Sequence, residues 1–418
     1  MKALEDIGHR FHEIYPNCTI EYEYLQDYYE TLAKRLSGES NKLDLFFSSN
    51  VQEGSVVLPY SLELFSQSEA LDLSETYEGM IKNFTYMNSD SNAPAEIYAI
   101  PTGGELRGMF VNVTLLKSLN LSVPTNQQEL LNACKVLSEN GYVPLHGNPG
   151  SFGQQLLYPY VCNLIANSDD YQTKYQQLNS CEAGVSAFFE EPMSLMYQLI
   201  ENKYYNYKYV ENELAMFIDS SNEGIARDFL SIGMNESGEY YKKDDLGQVA
   251  FMPAPMTTSG TIAKTKEDYH SNIEYTFILS PVAEEGGFAY MSPAQGLVIN
   301  KNSDQLDWAL EFMNFFFTSQ NNKAYAEEFG IIPNTSDALS YIENKFDIKE
   351  NQISQLGQMT FDYGFYGIIT KSLVEVSKAN NPKYMKDETT LYDFSYYMDR
   401  LETRFEEQRT GTDILEDD

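Results

Sequence analysis

The chain has 418 residues, 42% of them hydrophobic and 22% charged, which is the balance of a folded globular protein of two or three domains. Its formal net charge of −34 excludes a nucleic-acid partner, since a phosphate backbone is held by clustered Lys and Arg. No run approaches the ~18 uninterrupted apolar residues of a membrane span, and no basic-then-apolar leader precedes the first amphipathic pattern.

In chain order, Leu4, Ile7, Phe11 and Ile14 recur at helical spacing and stop at Pro16, which predicts a helix. Residues 18–25 (CTIEYEYL) alternate, with Ile20, Tyr22 and Tyr24 on one face, and predict a strand. Tyr29, Leu32, Ala33 and Leu36 form a second helical stripe closed by Gly38. LDLFF at 43–47 predicts a short buried strand. Helices alternating with strands argue for an α/β sheet with parallel pairs. Residues 88–96 read as a polar loop. Leu115, Leu116 and Leu119 predict a short helix broken by LSVPT. Thr125 and Gln128 then fit a capping box for a helix that buries Leu130, Ala133, Cys134 and Leu137 and ends at Gly141. Residues 247–252, 274–279 and 294–300 predict strands. Leu306, Ala309, Leu310, Met313 and Phe317 make a strong helical stripe, and a further helix over 321–329 ends at Gly330. The tail after about 335 mixes helix and loop, and its last residues fray.

The stretch YAIPTGGELRGMFVN, residues 98–112, poses the chemical question. Its glycines match neither dinucleotide-binding nor P-loop spacing, and Glu105 would stand where a phosphate must sit. Glu105 could act with Asp27 or Asp44 as a carboxylate pair, but with 62 Asp and Glu such pairs arise anywhere, and an ion pair between Glu105 and Arg107 is the plainer reading. His9 and His12 are spaced i,i+3 with no third metal ligand in view. No G-x-S-x-G elbow is present, and no segment suggests a nucleotide cofactor. Cys18, Cys134, Cys162 and Cys181 lack C-x-x-C spacing; whether Cys162 and Cys181 pair stays open. Asn17, Asn83 and Asn112 open N-glycosylation tripeptides that a chain so rich in Asn produces by chance.

The aromatic composition is unusual: 32 Tyr and 24 Phe but one Trp. A Tyr ring stacks on a sugar while its hydroxyl bonds the sugar's own, and residues 151–160 and 203–209 are the densest stretches. Core packing explains a single Tyr equally well, and Trp308 sits beside a core stripe.

The order of segments resembles that of bacterial extracellular solute-binding proteins that feed ABC importers, of the maltose-binding-like type. FHEIYPNCTIEYEYL followed by a helix and LDLFFSSN resembles the family's opening. IYAIPTGGELRGMFVNVTLLKSLNLSVPTNQQELLNACKVLSENGYVPL resembles its most diagnostic block, and AQGLVINKNSDQLDWALEFMNFFFTSQNNKAYAEEFGIIPN its second. The resemblance covers about 11–160 and 245–335.

That resemblance implies an α/β, two-lobe periplasmic-binding-protein-like fold, with mixed sheets flanked by helices and a ligand cleft at a hinge. The lobes would comprise 1–110 plus 280–318 and 111–279 plus 319–418. It implies capture of a carbohydrate, delivery to permease subunits, and no catalysis, cofactor or metal. The same fold could bind another solute such as a peptide, and a carbohydrate-active enzyme is a remoter alternative. Family positions map onto Asp27, Tyr28, Ser49, Asn50, Glu105, Arg107, Phe152, Gln154 and Tyr158 as ligand contacts. Many relatives carry a sugar-stacking Trp where this chain has Met256, and Tyr290 is a substitute. Relatives also begin with a signal peptide, a lipid-bearing Cys and a first strand. The expectation is therefore an extracellular, monomeric, lipid-anchored protein whose present N-terminus is truncated, leaving a sheet edge uncovered.

Overall fold

A computed structural model describes residues 2–346 and 392–411, apart from 39–42, 50, 52–54, 68, 78–79, 82–84, 87–95, 147–152, 167, 169, 171–172, 175–176, 179–180, 206–221, 236, 244, 285 and 288–289. The chain divides into two compact units. Unit 1 holds Met1–Glu105 and Met291–Lys349; unit 2 holds Leu106–Tyr290 and Gly364–Asp418.

Unit 1 opens with α1 (Lys2–Ile14), whose buried residues Ala3, Leu4, Ile7, Gly8 and Phe11 follow the 3.6-residue period. Gly8 lets Tyr22 approach: a Cβ there would stand 2.8 Å from the Tyr22 hydroxyl, which donates to the Leu4 carbonyl at 2.5 Å. Residues 18–23 alternate, with Cys18, Ile20 and Tyr22 half-buried and Thr19, Glu21 and Glu23 exposed, but the pattern breaks at Tyr24, 80% exposed instead of facing inward, and 18–25 are not a strand. Among the described residues no neighbouring strand supplies a ladder. Next come α2 (Tyr28–Ser37) and β1 (Leu45–Ser48). Gly38 closes α2 in an extended conformation, φ −75°, rather than the left-handed one its type suggested. A small pair, β2 (Thr85–Tyr86) and β3 (Glu96–Ile97), precedes β4 (Ile100–Pro101).

The chain leaves unit 1 inside β5 (Gly103–Asn112), an unbroken ten-residue strand. In unit 2 the fully buried Asn112 caps α3 (Val113–Ser118), accepting the Leu115 N–H at 2.9 Å while its amide donates to the Leu246 carbonyl at 2.8 Å. Its glycosylation tripeptide is therefore inside the fold. Then follows α4 (Gln127–Glu139), which buries the four residues its periodicity marked. Its cap lies one residue later than expected. Asn126 accepts the Glu129 N–H at 3.0 Å, and the Glu129 carboxylate reaches back to the Thr125 N–H at 2.8 Å, which holds that carboxyl below its usual range. β6 (Val143–Leu145), a π-helical turn at Gly153–Leu157, α5 (Tyr158–Ala166) and α6 (Glu190–Glu201) lead to α7 (Asn222–Phe229) and the hairpin β7 (Ile232–Met234) and β8 (Tyr240–Lys242). The unit continues with β9 (Val249–Pro255), α8 (Thr258–Asp268) and β10 (Tyr275–Ile278). β5 pairs antiparallel with β9 and β10, and β6 pairs parallel with β9. Phe110, Phe229, Val249, Met252, Ile262 and Ile273 fill one core of this unit.

The return to unit 1 falls inside β11 (Tyr290–Pro293), which pairs with β5. β12 (Gly296–Ile299), α9 (Leu306–Phe316), α10 (Ser319–Phe329), β13 (Ile332–Pro333) and α11 (Ala338–Phe346) follow, and α12 (Phe394–Thr410) belongs to unit 2. β12 lies between β1 and β4 and is antiparallel to both, so those two run the same way without touching. Among the registered pairs only β6–β9 is parallel, fewer than the alternation of elements suggested.

Residues 319–346 belong to unit 1, against the expected assignment to the second lobe. The reason is packing: Phe11, Phe312, Phe316, Tyr325 and Ile331 share one core, and β13 pairs with Gly103 and Gly104. Phe11 packs edge-on against Phe312 at 5.3 Å, and Trp308 packs against Phe11 and Tyr15 as a structural residue.

Candidate functional site

In unit 1, α2 begins unusually. Asp27 precedes it in the left-handed region, φ 47° and ψ 57°, with no side-chain capping bond, although its carbonyl accepts the Thr31 N–H at 3.0 Å. An N-cap residue ordinarily sits in the β region. A non-glycine residue held there costs roughly 1–2 kcal/mol, and such outliers cluster at functional sites. The outcome is an exposed carboxylate at the head of the helix. The next residue, Tyr28, is committed elsewhere: its hydroxyl donates to the Phe47 carbonyl at 2.6 Å and accepts the Phe47 N–H at 3.1 Å. Burial pushes that phenol up to about 12. Tyr28 therefore anchors α2 to β1, and with its proton given to the Phe47 carbonyl the hydroxyl has none to donate to a ligand. Tyr29, expected on the apolar stripe of α2, faces outward instead. It is 44% exposed, packs edge-on with Tyr28 at 5.4 Å, and shares a hydrogen bond with the exposed Ser49 just beyond β1. The fold thus brings Asp27, Tyr28, Tyr29 and Ser49 to one end of unit 1. Asn50 lies outside the described residues.

β5 carries the next two candidates. Glu105 and Arg107 are two residues apart on a strand, so they share a face, and both are half-buried within an otherwise buried run. Glu105 ends the first segment of unit 1 and Leu106 begins unit 2. The paired glycines serve close packing, not a bend or loop. Neither has positive φ; a Cβ on Gly103 would stand 2.4 Å from the Ile332 carbonyl oxygen, and one on Gly104 2.1 Å from the Met291 sulfur.

In unit 2, Phe152 lies outside the described residues. Gln154 is placed by its backbone in the π-helical turn, Tyr158 opens α5 and Tyr290 opens β11; the side chains of these three also lie outside the described set. Met256 is 3% exposed and donates its backbone N–H to the Leu106 carbonyl at 3.0 Å. It is a buried packing residue, not a stacking platform. Gln155, the neighbour of a residue the resemblance marked, is the polar residue sequence reasoning missed. It is completely buried, and its Oε1 accepts the Gly108 N–H at 3.3 Å. The available signal was a Gln directly before the apolar run LLYPYV. Among the described residues no three His, Cys, Asp or Glu come together as metal ligands, and no helix is long and apolar enough to cross a membrane.

The sequence matches the family described as bacterial extracellular solute-binding protein over residues 1–323. No curated protein sequence matches it. Among solved structures, the chain is similar to the cyclic alpha-maltosyl-1,6-maltose binding protein from Arthrobacter globiformis, at 14% identity and a TM-score of 0.65, covering 98% of this chain and 96% of that one. It is also similar to a sugar transporter from Bacillus licheniformis in complex with stachyose, at 15% identity and TM-score 0.55, covering 97% and 96%. Maltose-bound MalE3 of T. maritima matches at 15% identity and TM-score 0.61, covering 97% and 95%. These likenesses establish the two-lobe α/β fold, and the proteins concerned are binding proteins and transport components. With the family matched over residues 1–323 of 418, this chain belongs to the bacterial extracellular solute-binding proteins.

Proposed function

We propose that the chain is the substrate-binding subunit of an ABC importer. It captures a mono- or oligosaccharide outside the cell by closure of its lobes, delivers it to membrane permease subunits, and catalyses nothing. The observation that carries this reading is the family match over residues 1–323, joined by chain-long likeness to structures whose own ligands are saccharides. The chemistry of the candidates supports it. A sugar hydroxyl both donates and accepts. Asp27 and Glu105 are acceptors, Arg107 is a donor, Ser49 is either, and the Tyr29 ring offers an apolar face. Asn50, Phe152, Gln154, Tyr158 and Tyr290 remain contacts implied by resemblance.

The test is thermal unfolding of the full chain with maltose, raffinose, stachyose and chitin oligosaccharides. A true ligand at ~100 times its Kd adds about 2.7 kcal/mol to stability, a readily measured rise in Tm. A panel that moves nothing overturns the carbohydrate reading, and mass spectrometry of a co-purified small molecule then identifies the solute class. Release of shortened saccharides from the same incubations would instead establish an enzyme.

A further inference from the structure

The π-helical turn Gly153–Leu157 precedes α5, and such turns are frequent at functional sites. Gln155, at its centre, ties three segments of unit 2 together. Its Oε1 accepts the Gly108 N–H of β5 at 3.3 Å, and its backbone carbonyl accepts the Ser280 hydroxyl, also fully buried, at 2.5 Å. Only the amide oxygen can accept from an N–H, so the bond to Gly108 fixes which way the side chain faces. The other end, Nε2, is buried and has no hydrogen-bond partner. A second buried group without one is the Thr258 hydroxyl, at the first residue of α8. It follows Met256 by two residues, and Met256 is bonded to Leu106. Gln155 thus touches β5 at Gly108, and Thr258 lies two residues beyond the partner of Leu106. A buried donor left unpaired is destabilising, and an apolar side chain of equal size would remove the penalty.

We propose that Gln155 is a positioning residue for ligand binding in unit 2. Its carbonyl fixes Gly108, and with it the neighbouring Arg107. Its amide N–H takes its missing partner from an oxygen acceptor that arrives with the ligand, either a ligand oxygen or a water the ligand holds in place. This rests on the solute-binding reading and narrows it. The ligand must present a neutral or anionic oxygen near Arg107; a group that can only donate, such as an ammonium, cannot satisfy Nε2.

The experiment compares the full chain with Gln155→Met, which removes both amide groups, and Gln155→Glu, which keeps the acceptor for Gly108 and removes the donor. Two quantities are measured: Tm without ligand, and Kd by calorimetry for whichever of maltose, raffinose, stachyose or chitin oligosaccharide binds the unsubstituted chain. The proposal expects Gln155→Met to weaken binding about tenfold, whatever its ligand-free Tm, since that variant trades the unpaired Nε2 for an unpaired Gly108 N–H, and any Gln155→Glu protein that folds to weaken binding likewise. A lowered ligand-free Tm with unchanged Kd makes Gln155 a structural clamp and overturns the proposal. If the unsubstituted chain binds none of the four sugars, the carbohydrate reading falls by itself. The Kd of the same variants for the co-purified solute then decides this one, a tenfold loss supporting it and an unchanged value overturning it.

Discussion

β5 is held in two different ways at its approach and at its middle. In unit 1 its approach is gripped by a closed polar network. Asn322 donates to the Thr102 carbonyl at 2.9 Å and accepts the Asn334 N–H at 2.7 Å; Asn334 donates to the Pro101 carbonyl at 2.7 Å and accepts the Tyr77 N–H at 3.0 Å. Asn322, Asn334 and Thr102 are all fully buried. In unit 2, Gln155 accepts the Gly108 N–H, yet its own Nε2, like the Thr258 hydroxyl of α8, has no partner among the described residues. A fully paired buried network makes one rigid arrangement, whereas an incompletely paired one keeps hydrogen-bonding capacity in reserve. The contrast places rigidity at the approach to the strand and unused hydrogen-bonding capacity beside its middle.

The largest test of that contrast is a pair of substitutions. Asn334→Ala strands the Pro101 carbonyl and the Tyr77 N–H, and should cost about 3 kcal/mol or more in denaturant unfolding. Thr258→Val replaces an unpartnered hydroxyl by a methyl of similar size and should stay within about 0.5 kcal/mol. Equal losses would erase the distinction. Of intermediate size, Glu105→Ala should weaken saccharide binding about tenfold, about 1.4 kcal/mol, with little change in ligand-free Tm. Unchanged Kd would leave Glu105 a structural residue of the strand.

The smallest effect is a pH dependence. Burial favours the neutral phenol of Tyr28, whose pKa is raised to about 12 in the folded protein from 10.0. The folded state then holds a proton that the unfolded state has released. The contribution is fully present below pH 10 and is lost as pH rises towards 12. Tyr28→Phe should flatten the unfolding midpoint over that window. Tyr160, Tyr325 and Tyr397, raised to about 12 by burial as well, should leave a residual slope. At the acid end the sign reverses. Burial pushes the Glu63 carboxyl up, but the N–H groups of Ser66, Ile97 and Phe65 outweigh it and hold it below its ordinary value.

Much of this was legible in the chain. The faces of α1 and α4, the cap glycine after α10 and the strand cores of β9, β10 and β12 follow from local periodicity and turn chemistry. The joint order of weakly patterned segments pointed to the family. The exceptions share a cause. Residues 18–25 alternate as a strand should, but a strand needs a partner, and alternation carries no information about one. The glycines at 103 and 104 match no phosphate-binding spacing, and their role is set by β13 and β11, which come too close for a Cβ. Tyr28 looked like a ligand contact until its hydroxyl was found bonded in both directions to Phe47, nineteen residues away in sequence.

The sequence by itself determined where helices such as α1, α4 and α10 lie and which side of α1 and α4 is apolar, because those depend on neighbours within about four positions. Only the tertiary structure decided which polar groups are already paired and which still have a donor to offer. It set Tyr28 and Met256 aside and drew attention to Tyr29 and Gln155. Hydrogen-bond satisfaction is a property of residues brought together from distant parts of the chain, and Gln155 meets Gly108 across 47 positions.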